Sequence, residues 1–310
     1  MNTAVPKEKR KGFAKLFARD KYLLILFIPC FLYFIIFKYI PMFGVVIAFE
    51  DYTPYIGFIK SEWIGFQNFT EFFNSIYLWR LIRNTLLLNV FNLVIGFPIP
   101  IIFALLLNEL KKLKFKRFVQ TVSYLPHFIS TVIIVGIMYS FLSPNSGIVN
   151  VMLKSLGREP INFANETSWF RPLYIGSDIW QSFGWGSIIY LAAISGIDPS
   201  LYEAAEMDGA KRLRKIIHIT IPSILPTIII LLIMRVGRMM SVGFQKIILM
   251  YNPAIYETAD VISTYVYRKG IQNGDFSFAT AVDLFNGVIN LILLISANTI
   301  SKKLSETSLW

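Results

Sequence analysis

Long apolar runs separated by polar segments dominate this chain. Six of the runs are close to the roughly 20 residues that a helix needs to cross the hydrocarbon core of a bilayer. They cover residues 22–39, 85–107, 119–142, 173–197, 223–244 and 278–300. The pattern therefore predicts an all-α integral membrane protein with six transmembrane helices.

Composition supports this interpretation. Of the 310 residues, 55% are hydrophobic and only 16% are charged, and the mean hydropathy is +0.56. A water-soluble domain of this length buries too little surface to hide so much apolar material. The predicted organisation is a basic tail at 1–21, one six-span unit at 22–300 with a polar loop at 198–222, and a short tail at 301–310.

Lysine and arginine predict the orientation, because cytoplasmic loops of membrane proteins carry the excess of positive charge. The two tails and the second and fourth connections hold eighteen of these residues, whereas the three longer opposite connections hold nine. Both termini and the loop at 198–222 are therefore predicted to be cytoplasmic. The net charge of +11 reflects this bias, since the basic residues flank apolar runs and form no aromatic-interleaved patch for nucleic acid.

The polar loop at 198–222 has the signals of a short helix. Asp198 or Ser200 can cap its N-terminus, and Pro199 is pre-set for the first turn. Gly209 can close it in a left-handed conformation.

Motifs for enzyme chemistry are missing from the sequence. It contains no G-x-x-x-x-G-K-[ST] loop for ATP phosphates, and neither the H-E-x-x-H nor the G-x-S-x-G pattern of hydrolases. Its two histidines, His127 and His218, lie on different segments and predict no metal site. We expect a transport subunit rather than an enzyme, with no cofactor or metal of its own.

The polar loop carries a specific resemblance. Its pattern is Glu203-Ala204-Ala205, three residues, Gly209, nine residues and then Ile219-x-x-Pro222. This pattern resembles the signature loop of the membrane subunits of binding-protein-dependent ABC importers. Ile221 stands where the family usually has Leu. Further stretches resemble carbohydrate-uptake permeases, in particular the polysaccharide or oligosaccharide branch of Gram-positive bacteria. These stretches are Trp63 to Phe69, Leu125-Pro126-His127, Asp178-Ile179-Trp180, Tyr251-Asn252-Pro253 and Glu257 to Asp260.

The resemblance implies an ABC importer permease fold in the cell membrane and a coupling role for the loop. In that family, a short cytoplasmic helix docks on a separate ATPase and transmits its closure as rigid-body motion. The implied partners are a second homologous permease, two ATPase subunits that bind ATP and Mg²⁺, an extracellular solute-binding lipoprotein and a carbohydrate. The implied coupling residues are Glu203, Ala204, Ala205, Asp208, Gly209 and Pro222.

Polar and aromatic residues within the later runs are candidates for a substrate path, since sugars need flat apolar faces and amides for their hydroxyls. The alternative role is helix–helix hydrogen bonding, which such residues often provide in membranes. The candidates are Trp180, Gln181, Trp185, Tyr190, Arg235, Arg238, Asn286 and Asn290.

Four charges inside the predicted spans are also candidates for function. Asp178, Asp283 and Arg238 are predicted at a similar depth, and Arg235 one turn deeper. We expect Arg235 or Arg238 to pair with Asp178 or Asp283. Such pairs would be structural clamps, whereas an arginine left facing the cavity would favour an anionic sugar.

One alternative belongs to another class of transporter. In an ion- or proton-coupled secondary transporter, Asp178 and Asp283 would be the ion or proton sites.

Overall fold

A computed structural model describes residues 21–305 and 307–310, and almost all of the ordered elements in this part of the chain are helical. The predicted basic tail lies outside the described residues except for Lys21. The helices are α1 Lys21–Phe49, α2 Gln67–Phe73, α3 Leu78–Asn108, α4 Leu113–Phe128, α5 Thr131–Leu142, α6 Ile148–Ser155, α7 Thr167–Ser195, α8 Pro199–Met207, α9 Arg212–Val236, α10 Phe244–Met250, α11 Tyr256–Ala259, α12 Ile262–Tyr267 and α13 Phe276–Ser305. Two short strands, β1 Glu50–Asp51 and β2 Glu62–Trp63, pair antiparallel.

Four of these helices, α1, α3, α9 and α13, are long and apolar enough to cross a membrane. The bent pair α4 and α5 makes a fifth candidate. Helix α7 has 29 residues, about 43 Å at 1.5 Å per residue, but it is less apolar because it carries Arg171, Asp178 and several small polar residues. The predicted all-helical membrane architecture is thus present in the described part of the chain.

The first apolar run is helical well beyond its predicted end at residue 39. A π-helical turn at Ile35–Tyr39 precedes Pro41, and the chain stays helical to Phe49. The shifted hydrogen-bond register of such a turn accommodates the N–H that proline lacks. The helix therefore continues through Pro41.

The third apolar run was predicted as one helix but is sharply broken. Helices α4 and α5 meet at 97°. Pro126 lies in a 3₁₀ turn, Ile129 is extended, and the Ser130 hydroxyl accepts from the Ile133 N–H to start α5. The Gln181 amide donates to the Ile129 carbonyl at 3.1 Å, which satisfies a backbone group that the break leaves free.

The fifth run is displaced from its predicted bounds. Helix α9 begins at Arg212 and ends at Val236, followed by a turn and then α10. A Cβ on Gly237 would lie 2.6 Å from the Leu294 side chain of α13, so glycine allows the two helices to pack closely here. The Asn290 side chain accepts from the Met240 N–H at 2.9 Å and stabilises the turn. Arg238 consequently lies in this turn rather than in a helix.

Helix α7 is the central element. It packs against the second half of α3, and also against α4, α9 and α11. The buried core around α7 includes Phe170, Tyr174 and Ile247 near one end and Tyr190 and Ile194 near the other. Helix α13 packs separately on α9, α12 and the end of α1. A polar cavity opens between α3, α7 and the end of α9.

Candidate functional site

The N-terminus of α8 is capped as its sequence predicts. The Asp198 carboxylate accepts from the Ser200 N–H at 2.9 Å, and Pro199 is the first helical residue. That hydrogen bond holds the pKa of the Asp198 carboxyl below its usual value. The helix therefore starts at a fixed point directly after α7.

The C-terminus of α8 is closed by a Schellman motif. Gly209 has φ +75°, and its N–H donates to the Glu206 carbonyl at 3.0 Å. The Ala210 N–H donates to the Ala205 carbonyl at 2.8 Å. This pair of hydrogen bonds requires a left-handed residue between helix and loop, which confirms the predicted closure of the helix by Gly209.

Side-chain contacts fix α8 to the start of α9. The Lys215 Nζ lies 2.5 Å from a Glu206 carboxylate oxygen, and the Tyr202 hydroxyl lies 2.9 Å from Thr220 Oγ1. Lys215 lowers the pKa of Glu206, so this contact is present at neutral pH and is lost only as the pH falls through that lowered pKa. These contacts join α8 to the first turns of the long helix α9.

One surface of α8 remains uncovered by the described part of the chain. Met207 is 89% exposed and Leu201 is 48% exposed, while Ala204 and Glu203 are exposed beside them. Leu201, Ala204 and Met207 recur every three residues and share one helix face. An exposed apolar stripe on a rigidly capped helix is typical of a protein–protein contact.

The polar cavity has a volume of about 310 Å³ and collects polar side chains from three helices. It is lined by Leu88, Asn89, Asn92, Tyr174, Asp178, Leu231, Met234, Arg235, Arg238, Ser241, Val242 and Gly243. Its size is at the lower end of the range of about 300–1,000 Å³ for small-molecule pockets.

Asp178 is held by two partners at the wall of this cavity. Lys246 Nζ lies 3.2 Å from one carboxylate oxygen, and the Asn92 amide donates to the other at 2.8 Å. Lys246 is only 4% exposed. Next to it, the Tyr174 hydroxyl accepts from the Gly243 N–H at 3.0 Å. These contacts join α3, α7 and α10 around one ion pair, in which the lysine is buried and the Asp178 side chain is 32% exposed.

The predicted arginine–aspartate pairs are not formed. Asp178 is bound to Lys246, and within residues 21–305 and 307–310 no carboxylate lies within 4.0 Å of Arg235 or Arg238. Both arginines line the polar cavity and are exposed. The physical reason is position: the chain turns after Val236, and the short helix α10 brings a lysine to Asp178.

Asp283 is not in the polar cavity. It lines a different depression between α12 and α13, together with Phe244, Tyr267 and Phe276.

The two candidate amides on α13, Asn286 and Asn290, differ from one another. Asn290 donates to the Ser241 hydroxyl at 3.0 Å and supports the turn after α9, whereas Asn286 Oδ1 is buried without a partner in the described structure. Asn290 therefore has the alternative role, a hydrogen bond between segments of the protein.

The four α7 candidates for a sugar path lie outside the polar cavity. Tyr190 is 3% exposed and belongs to the core, so its predicted place on a path is wrong for this conformation. Trp185 stacks on His127 with ring centroids 4.7 Å apart, and Gln181 supports the α4–α5 break. Trp180 is 48% exposed on an apolar groove beside α5.

Lys246 is the functional candidate that sequence reasoning missed. It follows the fifth apolar run and was counted with an outer connection. Its immediate sequence, with Phe244 and Gln245 before it and four apolar residues after it, does show a lysine inside a short apolar helix. The sequence does not show that Asp178 contacts this lysine, and only that contact identifies Lys246 as part of a site.

A second group of charges lies toward the predicted outer end of α3. Asp260 is fully buried and binds Arg80 at 3.0 Å and Arg268 at 2.8 Å. Arg83 pairs with Glu257 at 2.5 Å, which lowers the pKa of that carboxyl. We call the four arginines Arg80, Arg83, Arg171 and Arg268 the outer arginine cluster. Arg171 donates to Asn84 at 3.0 Å.

Curated relatives match almost the whole chain. Protein LplB of Bacillus subtilis is 48% identical over 94% of this chain and 92% of its own length. The polygalacturonan/rhamnogalacturonan transport system permease protein YteP of the same organism is 46% identical over 98% of this chain and 95% of its own.

Solved structures match equally well. A chain in the crystal structure of a bacterial alginate ABC transporter, in complex with an alginate pentasaccharide-bound periplasmic protein, superposes with a TM-score of 0.88 at 44% identity. The match covers 96% of this chain and 100% of that one. The family model for the binding-protein-dependent transport system inner membrane component matches residues 96–306. The chain therefore belongs to the family of membrane components of binding-protein-dependent transport systems.

Proposed function

We propose that this chain is one of two homologous permease subunits of an ATP-driven importer in the cell membrane. It crosses the bilayer six times, with α7 and the bent pair α4–α5 completing the set, and both termini are cytoplasmic. The positive charge of the predicted tails and of residues 111–117 and 211–215, at the starts of α4 and α9, supports this orientation. Membership of the permease family supports the two-subunit arrangement.

The observation that carries the proposal is the structure of α8. A short helix that is capped at both ends and joined to α9 by an ion pair leaves an apolar stripe exposed. We infer that this stripe docks in a groove of a separate ATPase, two copies of which bind ATP and Mg²⁺. Closure of the ATPases moves α8 and α9 as one body, and the cavity between the two permeases changes the side to which it opens.

The proposed substrate is an oligosaccharide or polysaccharide fragment that an extracellular binding protein delivers. Relatives at 44–48% identity support this class, since the names of two of them specify polygalacturonan or rhamnogalacturonan transport and alginate transport. The secondary-transporter alternative is less well supported, because Asp178 is already bound by Lys246 and Asn92.

Co-purification with the ATPase tests this function. Met207→Glu places a charge in the apolar stripe and should release the ATPase from the purified complex. Met152→Glu is the matched control, since Met152 is 58% exposed on α6, away from the cytoplasmic loop. Retention of the ATPase by both variants, or its absence from the wild-type complex, would contradict the proposed docking.

A further inference from the structure

We propose that Arg235 and Arg238 form an anion subsite in the polar cavity that binds the carboxylate of an acidic sugar, a uronate, during import. This inference rests on the proposed function and specifies its substrate class. It assigns selectivity for acidic over neutral oligosaccharides to two residues of this chain.

Charge balance in the polar cavity is the first argument. Asp178 is the one carboxylate among the lining residues, and the buried Lys246 neutralises it at 3.2 Å. The two arginines therefore remain as uncompensated positive charges within the described part of the chain. An unpaired charge inside a membrane protein is costly unless it faces water or a ligand of opposite sign.

Backbone geometry is the second argument. Arg235 is in the last turn of α9, and Arg238 follows in the turn that Asn290 stabilises. Both line the same cavity and both are exposed to it. A guanidinium presents its N–H groups as a planar fork that matches a carboxylate, which an amide or hydroxyl cannot reproduce.

The other lining residues suit the rest of a sugar ring. Asn89 and Ser241 lie on the same cavity and offer an amide and a hydroxyl for ring hydroxyl groups. Leu88 and Met234 supply apolar surface for ring C–H groups. The volume of about 310 Å³ is small for a sugar polymer, so the subsite holds only a short part of the oligosaccharide at a time.

The outer arginine cluster extends the positive charge toward the predicted extracellular side. Four arginines there face two carboxylates, Asp260 and Glu257. On α3, Asn84 of this region and Asn92 of the polar cavity are eight residues apart on one face, about 12 Å along the helix axis. Positive potential at both levels attracts an acidic oligosaccharide and disfavours a cation.

Uptake of matched acidic and neutral substrates tests the subsite. The complete transporter, with its binding protein, is supplied with radiolabelled oligogalacturonate or oligomannuronate, and with their methyl esters, which keep the sugar backbone but remove the charge. We expect Arg235→Gln and Arg238→Gln each to reduce uptake of the acid by at least about tenfold. Uptake of the methyl ester should change by less than about twofold. Arg235→Lys, which keeps the charge but not the fork, should fall between wild type and Arg235→Gln.

Arg158→Gln is the control, since it removes an arginine that is exposed in a connection away from the cavity. Equal losses of acid and ester uptake in the Gln variants would overturn the subsite and assign the arginines a role in folding or in the contact with the partner permease. If the wild-type transporter takes up the esters but not the acids, the anion subsite is also overturned, while the importer function remains intact. If neither acid nor ester enters, the uronate substrate and its subsite are overturned, while import of another oligosaccharide is not contradicted.

Discussion

At Lys246, a full positive charge is enclosed by protein and lies 3.2 Å from Asp178. Removing one partner of an ion pair leaves the other charge uncompensated, whereas replacing both partners leaves no uncompensated charge. Because the Asp178 side chain is 32% exposed and lines the polar cavity, we expect Lys246→Met to destabilise the chain by roughly 1–3 kcal/mol, less than the loss for a fully buried pair. Chemical unfolding in detergent micelles measures this loss.

A double variant separates the ion pair from simple packing. Asp178→Asn combined with Lys246→Met removes both charges, and the carbonyl oxygen of the introduced amide can still accept from the Asn92 side chain. We expect this double variant to recover more than half of the stability that Lys246→Met loses. Equal stability of Lys246→Met and the wild type would show that the pair does not matter for folding.

The individual charges also show where sequence reasoning stopped. Runs of apolar residues predicted that Asp178, Arg235 and Arg238 lie in the membrane, and the last two do line one cavity with Asp178. The partners were not predictable, because an ion pair depends on the turn after Val236 and on the placement of α10. Neither of these follows from the local pattern of residues.

Local rules were sufficient for α8. An N-cap carboxylate, a proline at the first position and a glycine at the C′ position each act over a few residues, so the sequence predicted both ends of this helix. The break between α4 and α5 was not predicted. Ile129 and Ser130 sit in an apolar run, and the carbonyl freed there is satisfied by Gln181 from α7, a long-range contact.

Gly209 offers a test of how strictly α8 must be closed. Its φ of +75° disfavours a side chain, so Gly209→Ala should cost roughly 1–2 kcal/mol in the loop conformation. No atom lies within 4 Å of its added Cβ, which limits the effect to the backbone. We expect substrate-stimulated ATP hydrolysis by the assembled transporter to fall several-fold, because α8 no longer transmits motion as a rigid element.

Gly157→Ala is a matched control for this substitution. Gly157 has φ +73° and equally open surroundings, but it follows α6 in another connection. It should bear the same backbone cost and leave coupled ATP hydrolysis within about twofold of wild type. A similar loss of coupling in both variants would attribute the effect to general destabilisation.

Across the whole molecule, the surfaces with proposed roles lie in two regions. The predicted cytoplasmic side carries α8, whose exposed stripe is a surface for another protein, and the region toward the other side carries the outer arginine cluster and the polar cavity. Helix α9 connects them, since it begins beside α8 at Arg212 and ends beside the cavity at Val236. This continuity is the structural basis for the proposed coupling between ATP hydrolysis and the substrate path.

Uptake by the purified complex in proteoliposomes tests the central claim most directly. With the binding protein outside, labelled oligogalacturonate or oligomannuronate should accumulate only when ATP is enclosed. The rate should not change when ionophores collapse the proton and sodium gradients. Accumulation that needs no ATP and disappears with an ion gradient would contradict an ATP-driven importer coupled through α8.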